Sequence, residues 1–547
     1  MRLPWVVFGG IGLLAAIVAG GVEPPSFTPW TKTNIGMVLR HAATPEKHQI
    51  ETMAGGVAVI DFDSDGRMDL FFANGARQPA LRKIDSEYWN RLYRNRGDGS
   101  FEDVTERAGV RGEGYSVGAA VADFDNDGRP DLFVAGVERN ILYRNRGDGV
   151  FDDVTARARI PHRGWAVGGG WSDYDSDGDL DLFIVNYVRF DPSQEPYCGD
   201  ATRGLRTYCH PKFYEGLPNT LLRNNGDLTF TDVSAESGIA RHLGKGMAVA
   251  FADYDSDGRP DAFVTNDTTP NFLFHNQGGG RFREVAGEAG VAYNDDGRAL
   301  SSMGADFRDI DNDGRDDLFV TALANETFPF YRNLGGGLFG DETYPSRIGA
   351  ATLALSGWST GIFDFDNDGR KDIFTANGDV NDNTELFSSR KSAQACVMLW
   401  NRGKTFSPEE VSLPAQYRGA AFADFDGDGR LDVVVTRLGG QPTLLGNRAG
   451  AENHWLALQL EGSRSNRDGM GARVSLLQAA GREQWNHATT AVGYASASER
   501  LVRFGLGNET VARRIEVRWP SGVVQVLTDV KADQILAVRE PIAAPPK

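Results

Sequence analysis

Seven times in this chain, four aspartates stand at offsets 0, 2, 4 and 8 of a nine-residue phrase with a glycine at offset 5. Alternating carboxylates in a tight loop are the donor set a hard divalent cation takes. The glycine lets the backbone turn sharply enough for the oxygens to converge. The first copy offers Asp61, Asp63, Asp65 and Asp69, with the backbone carbonyl of Arg67 as a further ligand. The second offers Asp123, Asp125, Asp127 and Asp131 with Arg129, and the third Asp173, Asp175, Asp177 and Asp181 with Asp179. The fourth offers Asp253, Asp255, Asp257 and Asp261 with Arg259, and the fifth Asp309, Asp311, Asp313 and Asp317 with Arg315. The sixth offers Asp364, Asp366, Asp368 and Asp372 with Arg370, and the seventh Asp424, Asp426, Asp428 and Asp432 with Arg430. Chance does not repeat such a phrase seven times, and the pattern predicts up to seven bound Ca²⁺.

The residues around each loop decide what positions it. An EF-hand needs a bidentate Glu at the twelfth position and a helix on either side. Here the twelfth positions are Phe72, Val134, Ile184, Val264, Val320, Thr375 and Val435, and none is a carboxylate. They sit in short runs such as Leu70-Phe71-Phe72 and Val433-Val434-Val435, rich in β-branched and aromatic residues and bounded by turns, which predict strands. Val57-Ala58-Val59-Ile60, before the first loop, predicts another. Each loop is therefore the tip of a β-hairpin.

A second phrase supplies the rest of the unit. Leu92-Tyr93-Arg94-Asn95-Arg96-Gly97-Asp98-Gly99-Ser100-Phe101-Glu102-Asp103-Val104-Thr105 recurs nearly intact at 142–155, with weaker copies at 222–234, 273–286 and 331–343. Strand, Asn/Gly-rich turn and strand make a hairpin, giving about four strands per repeat. Repeats of this period predict an all-β fold, a seven-bladed β-propeller. The seventh repeat stops at Asn447 without its Phe-x-Asp-Val strand, while Phe27-Thr28-Pro29-Trp30-Thr31 imitates that strand near the N-terminus. The N-terminal segment is therefore expected to complete the last blade and cover its open edge.

The loops and hairpins resemble the FG-GAP/VCBS repeats of integrin α-type propellers. The segment from Asn453 resembles the ASPIC/UnbV domain, through Asn453-His454-Trp455-Leu456, Asn466-Arg467-Asp468-Gly469-Met470-Gly471-Ala472, Phe504-Gly505-Leu506-Gly507 and Trp519-Pro520-Ser521-Gly522. Together they resemble the cartilage acidic protein family. The resemblance implies an exported calcium-binding propeller with a β-rich appendage, and no firmly assigned chemistry. The expected organisation is a signal peptide or N-terminal anchor at 1–22, a propeller at 23–450 and a small β-sandwich-like domain at 451–547. Its strands are expected at 455–460, 472–477, 501–504, 515–519 and 523–527, arranged antiparallel.

Composition agrees. The formal charge of −18 is largely carried by the loops themselves, and seven bound Ca²⁺ would offset about fourteen of those charges. No basic stripe appears, so nucleic acid is not expected as a partner. Met1-Arg2 followed by an apolar run to Val22 has the form of a secretory signal or an uncleaved anchor, which places the chain as secreted, periplasmic or cell-surface. In that setting Cys198 and Cys209 are expected to form a disulfide within the long gap between the third and fourth loops, and Cys396 to be a buried free thiol.

Other motifs reduce to structure. Arg96-Gly97-Asp98 and Arg146-Gly147-Asp148 fall in hairpin turns, where turn chemistry explains them. Gly114-Tyr115-Ser116-Val117-Gly118 and Gly357-Trp358-Ser359-Thr360-Gly361 match the nucleophile-elbow pattern but lack its strand–elbow–helix setting. No catalytic residue is assigned. Asn377-Gly378-Asp379-Val380-Asn381-Asp382-Asn383 is read as a polar turn rather than an eighth cation loop. The irregular insert at 187–218, with Asp191, Glu195, Tyr197, Tyr208, His210, Tyr214 and Glu215, is where a ligand site is first sought. Trp485 and Tyr494 are either a sugar-stacking surface or core and interface residues. The expected function is a binding module for a protein or glycan partner. The alternative is an envelope enzyme acting on a carbohydrate or other extracellular substrate at the insert.

Overall fold

A computed structural model describes residues 26–542, and the leader or anchor expected at 1–22 lies outside them. Seven four-stranded antiparallel sheets carry the seven Asp loops. In the first, Val57–Ile60 runs into the loop and Asp69–Phe72 runs out, paired from Val57↔Phe72 to Ile60↔Asp69. Arg91–Asn95 and Phe101–Asp103 add the outer two strands. Val57–Ile60 packs against Tyr115–Ala122 on one side and Tyr417–Ala423 on the other, so the inner strands close a ring. Small residues line these crowded inner strands for a steric reason. A Cβ on Gly118 would stand 2.2 Å from the Val167 carbonyl oxygen.

The ring closes with an exchanged strand. Phe27–Pro29 pairs antiparallel with Thr443–Asn447, Phe27 opposite Asn447, and completes the last sheet. Pro29 is tolerated because this is an outer edge strand, and the next amide, Trp30 N–H, donates to the Leu444 carbonyl at 2.9 Å.

Seven further strands form two sheets after the ring. His454–Glu461 lies between Val502–Gly507 and Gln534–Arg539, while Glu483–His487, Arg473–Gln478, Val511–Arg518 and Val524–Lys531 form the second sheet. Leu456, Leu458, Val474, Leu476, Phe504, Ile515 and Val517 are buried together in one apolar cluster of this region. Two strands escaped the sequence reading, Glu483–His487 and Gln534–Arg539, and the arrangement is not purely antiparallel. Gln534–Arg539 pairs parallel with His454–Glu461. Gln534–Arg539 carries the apolar run Ile535-Leu536-Ala537-Val538 and was overlooked, whereas the polar Glu-Gln-Trp-Asn-His strand gives no such signal and is half covered because it packs where the C-terminal region meets the ring.

The insert at 187–218 is built of two-residue strands and single 3₁₀ turns, stapled by the Cys198–Cys209 disulfide. Cys396 is a buried free thiol, its ionisation pushed up to about 12 by burial. Among the described residues no helix is long and apolar enough to cross a membrane.

Candidate metal centres

Each Asp loop turns through a left-handed residue at offset 3, and the sequence there is always one that tolerates it. Ser64, Asn126, Ser176, Ser256, Asn312, Asn367 and Gly427 all have positive φ. The turn aims two backbone amides at the first carboxylate. Asp61 accepts from Asp65 N–H at 3.0 Å and Gly66 N–H at 3.1 Å. Asp123, Asp173, Asp253, Asp309, Asp364 and Asp424 are held in the same way.

The last carboxylate is held from the neighbouring strand. Asp69 accepts from Asn95 N–H at 2.7 Å and Phe62 N–H at 3.2 Å. That leaves oxygens converging in the middle. Asp61, Asp63 and Asp69 offer atoms all within 4.8 Å of one another, as do the trios Asp123, Asp125, Asp127; Asp173, Asp175, Asp181; and Asp253, Asp255, Asp261.

Electrostatics make this arrangement unstable without a counter-charge. Burial, reinforced by neighbouring carboxylates, pushes Asp69 up to about 8, Asp123 and Asp173 to about 7, and Asp261 to about 9. Asp131, Asp181, Asp317, Asp372 and Asp432 are displaced upward by the same cause. A bound dication reverses that tendency by stabilising the ionised form. The geometry suits an oxygen-ligated divalent ion. The arginines at offset 6 engage the loop itself: Arg67 Nε donates to the Asn95 carbonyl at 3.1 Å and its guanidinium pairs with Asp65.

Sequence reasoning missed the residue that ties the loops together. In six of the seven blades the Asn ending the third strand donates its side-chain amide to the preceding blade's loop; in the sixth, Asn401 donates to its own Lys371 carbonyl and Lys371 Nζ reaches back to the Asp309 carbonyl at 2.7 Å. Asn145 Nδ2 reaches the Phe62 carbonyl at 2.8 Å, Asn224 that of Phe124 at 2.7 Å, Asn276 that of Tyr174 at 2.8 Å and Asn333 that of Tyr254 at 2.8 Å. Asn447 reaches Phe365 at 2.7 Å, and Asn95 bridges the ring closure to Phe425 at 2.9 Å. The repeated Tyr-Arg-Asn was visible in the sequence, but only as hairpin chemistry.

All seven loops lie at one end of the ring, and the C-terminal region covers that end. Gly314 abuts the Trp485 ring, and a Cβ on Gly505 would stand 2.1 Å from Asp364 Oδ2. From there residues 489–499 enter the ring along its axis. Ala119 N–H donates to the Ala495 carbonyl at 3.0 Å, Val59 N–H to Ala497 at 2.9 Å and Gly493 N–H to Ala305 at 2.9 Å. Ala491 packs with Val249 and Phe251, Tyr494 N–H donates to Ser359 Oγ at 3.1 Å, and Glu499 N–H to the Phe422 carbonyl at 3.1 Å. The Tyr494 hydroxyl donates to the Met53 carbonyl at 2.7 Å from a fully buried position. Tyr494 and Trp485 are therefore interface residues, not a stacking surface.

The insert caps the opposite end. Tyr208 OH donates to the buried Glu51 at 3.0 Å, Tyr214 OH to Glu195 at 2.8 Å, and His48 pairs with Glu195. His210 accepts from Lys212 N–H, and Asp379 closes its turn on Asn381 N–H at 3.0 Å. Of the groups singled out in the sequence, Glu195, Tyr208 and Tyr214 are thus held by internal hydrogen bonds, whereas Asp191 and Glu215 lie at the surface. Tyr197 and Phe213 remain exposed. Arg96-Gly97-Asp98 sits in its hairpin turn, and Ser116 and Ser359 are buried within inner strands.

The FG-GAP-like repeat model matches residues 61–134, 123–184, 214–264, 253–320, 309–375 and 379–435, more than half of the chain. The chain belongs to the FG-GAP-like repeat family. The ASPIC and UnbV model matches residues 462–545, so FG-GAP repeats are joined here to a C-terminal ASPIC/UnbV domain. Cartilage acidic protein 1 of Mus musculus is 28% identical over 325 residues, covering 58% of this chain and 48% of its own length. The Homo sapiens protein of the same name is 28% identical over 316 residues, covering 55% and 44%. The chain thus spans about half the length of these relatives. Among solved structures, an Agrocybe aegerita lectin that recognises non-reducing terminal N-acetylglucosamine is similar at 16% identity and a TM-score of 0.39, over 71% of this chain and 87% of the lectin.

Proposed function

We propose that this FG-GAP protein is an exported interaction module whose ring is held by Ca²⁺ in up to seven loops. The observation that carries the reading is the recurrent set of buried carboxylates, converging at one end of the ring and displaced toward protonation by burial and mutual repulsion. Calcium outside the cytoplasm is abundant enough for weak extracellular-type sites. Export is supported by the Cys198–Cys209 disulfide, which belongs to an oxidising compartment. We take the propeller as 23–450 and the C-terminal unit as 451–547, acting as one body because the axial segment 489–499 bonds to the inner strands.

With the axis filled, we place the surface for a protein or glycan partner at the capped end, where Tyr197 and Phe213 stand exposed. Thermal unfolding of the exported chain in EDTA and then in titrated Ca²⁺ or Mg²⁺, with metal quantification, tests the reading. A large Ca²⁺-selective rise in Tm with near seven ions per chain is expected. No bound metal and no shift would refute it.

A further inference from the structure

The fourth loop differs from the others in donor chemistry. The strand residue just before the stapling Asn is an arginine in four repeats, Arg94, Arg144, Arg223 and Arg332. Arg94 pairs with Asp63 and Asp65, Arg144 with Asp125 and Asp127, and Arg332 with Asp311, which puts a fixed guanidinium charge beside each loop. The fourth repeat has His275 instead. Its Nδ1 is shielded from solvent and makes no hydrogen bond. It lies 3.3 Å from Asp255 Oδ2 and 3.4 Å from Asp261 Oδ1. Asp255, Asp257 and His275 offer donor atoms all within 4.8 Å of one another. The Tyr254 ring stands edge-on to the imidazole, ring centroids 6.1 Å apart.

Asp261 departs from the pattern independently. In the other six loops the second oxygen of the last aspartate accepts from the N–H at offset 1. Asp261 Oδ2 has no partner, although its side chain is only 1% exposed. One buried carboxylate oxygen and one imidazole nitrogen are thus left open at the same loop.

We propose that the fourth loop is a mixed imidazole–carboxylate site for a borderline transition dication of the Zn²⁺ class, chemically distinct from the six oxygen-only loops. The proposal rests on the reading of the loops as cation sites. Zn²⁺ and Co²⁺ take imidazole nitrogen with carboxylate oxygen at low coordination number, whereas Ca²⁺ takes six to eight oxygens. Replacing the guanidinium by an imidazole also removes one fixed positive charge from beside the ion, leaving Arg259 on Asp257 as the guanidinium of this loop.

The test uses the full exported chain in excess Ca²⁺. Co²⁺ is titrated by its visible absorption, and retained Ca²⁺ and Zn²⁺ are counted by mass spectrometry. The wild-type chain is expected to retain one Co²⁺ or Zn²⁺ that Ca²⁺ does not displace. His275→Arg installs the residue other repeats use, and His275→Gln is a smaller, neutral change. Both should weaken Co²⁺ binding at least about tenfold while the Ca²⁺ count at the other loops stays the same. His454→Ala removes a partly exposed imidazole and should change nothing. Equal Co²⁺ affinity in wild type and both variants would overturn the proposal, as would no Co²⁺ retained by a chain with its full Ca²⁺ complement. Absence of Ca²⁺ from every loop would instead remove the underlying reading of the loops, and this proposal with it.

Discussion

The two ends of the ring solve the problem of buried charge differently. At the loop end, clusters of carboxylates are buried, and arginines such as Arg94 and Arg144 pair with the second and third aspartates of a loop but not with the fully buried last ones, Asp69 and Asp131. At the capped end each buried charge has an internal partner. Glu51 accepts from Thr44 Oγ1 at 2.6 Å and Tyr208 OH at 3.0 Å. Arg418, fully buried, donates to the carbonyls of Thr52, Tyr417 and Asp379 and lies 3.9 Å over the Trp358 ring. In the function proposed above, one end is completed by cations the chain does not encode, whereas the other is completed by the chain itself. The first should respond to solution conditions and the second to mutation.

The largest expected effect is at the loop end. Chelation should lower Tm by on the order of 10 °C or more, because several ions each contribute by mass action. A scan with and without EDTA measures it, and an unchanged Tm would erase the contrast between the ends. Next, Arg418→Met should cost on the order of 3 kcal/mol, since it strands several buried carbonyls at the capped end. Denaturant unfolding in saturating Ca²⁺ reads that loss without involving the loops.

A smaller effect concerns Asp267, which accepts from Tyr187 OH at 2.8 Å at the capped end. Burial, the leading cause, holds it up at about 6. Its folded value exceeds its unfolded one, so ionising it removes stability as pH rises from the ordinary carboxylate range through about 6. Asp267→Asn should therefore be more stable than the wild type above that range, by about 2 kcal/mol, with the gain vanishing near about pH 4. Stability curves across pH in constant Ca²⁺ check the sign. The smallest effect is on the axis between the ends. Tyr494→Phe loses only the bond to the Met53 carbonyl and should cost about 1 kcal/mol.

The strands, loops and ring closure were legible because they depend on local chemistry. A tight loop needs its Gly at offset 5, a hairpin needs its Asn-x-Gly turn, and the missing strand of the last repeat was matched by Phe27-Thr28-Pro29. Less was legible at the sites. The aspartates themselves were plain, but the stapling role of Asn145 or Asn276 requires knowing that one blade's third strand ends beside the previous blade's loop. His275 shows the same limit. In sequence it was one of eight scattered histidines, and only strand pairing sets it against Asp255 and Asp261. The insert drew attention by its irregularity, and the structure uses its tyrosines to close the ring's end.

A ring of four-stranded repeats with acidic loops can be read along the chain, because repeat spacing and turn residues act within a few residues of one another. That residues 489–499 fill the axis emerges only from the folded ring. A short segment of mostly small residues such as Ala491-Val492-Gly493-Tyr494-Ala495 carries no repeat or alternation that marks it as the filling of an axis. It is buried because inner strands with glycines at positions 56, 118 and 168 leave room for its backbone and pair with it, and those contacts span hundreds of residues of chain.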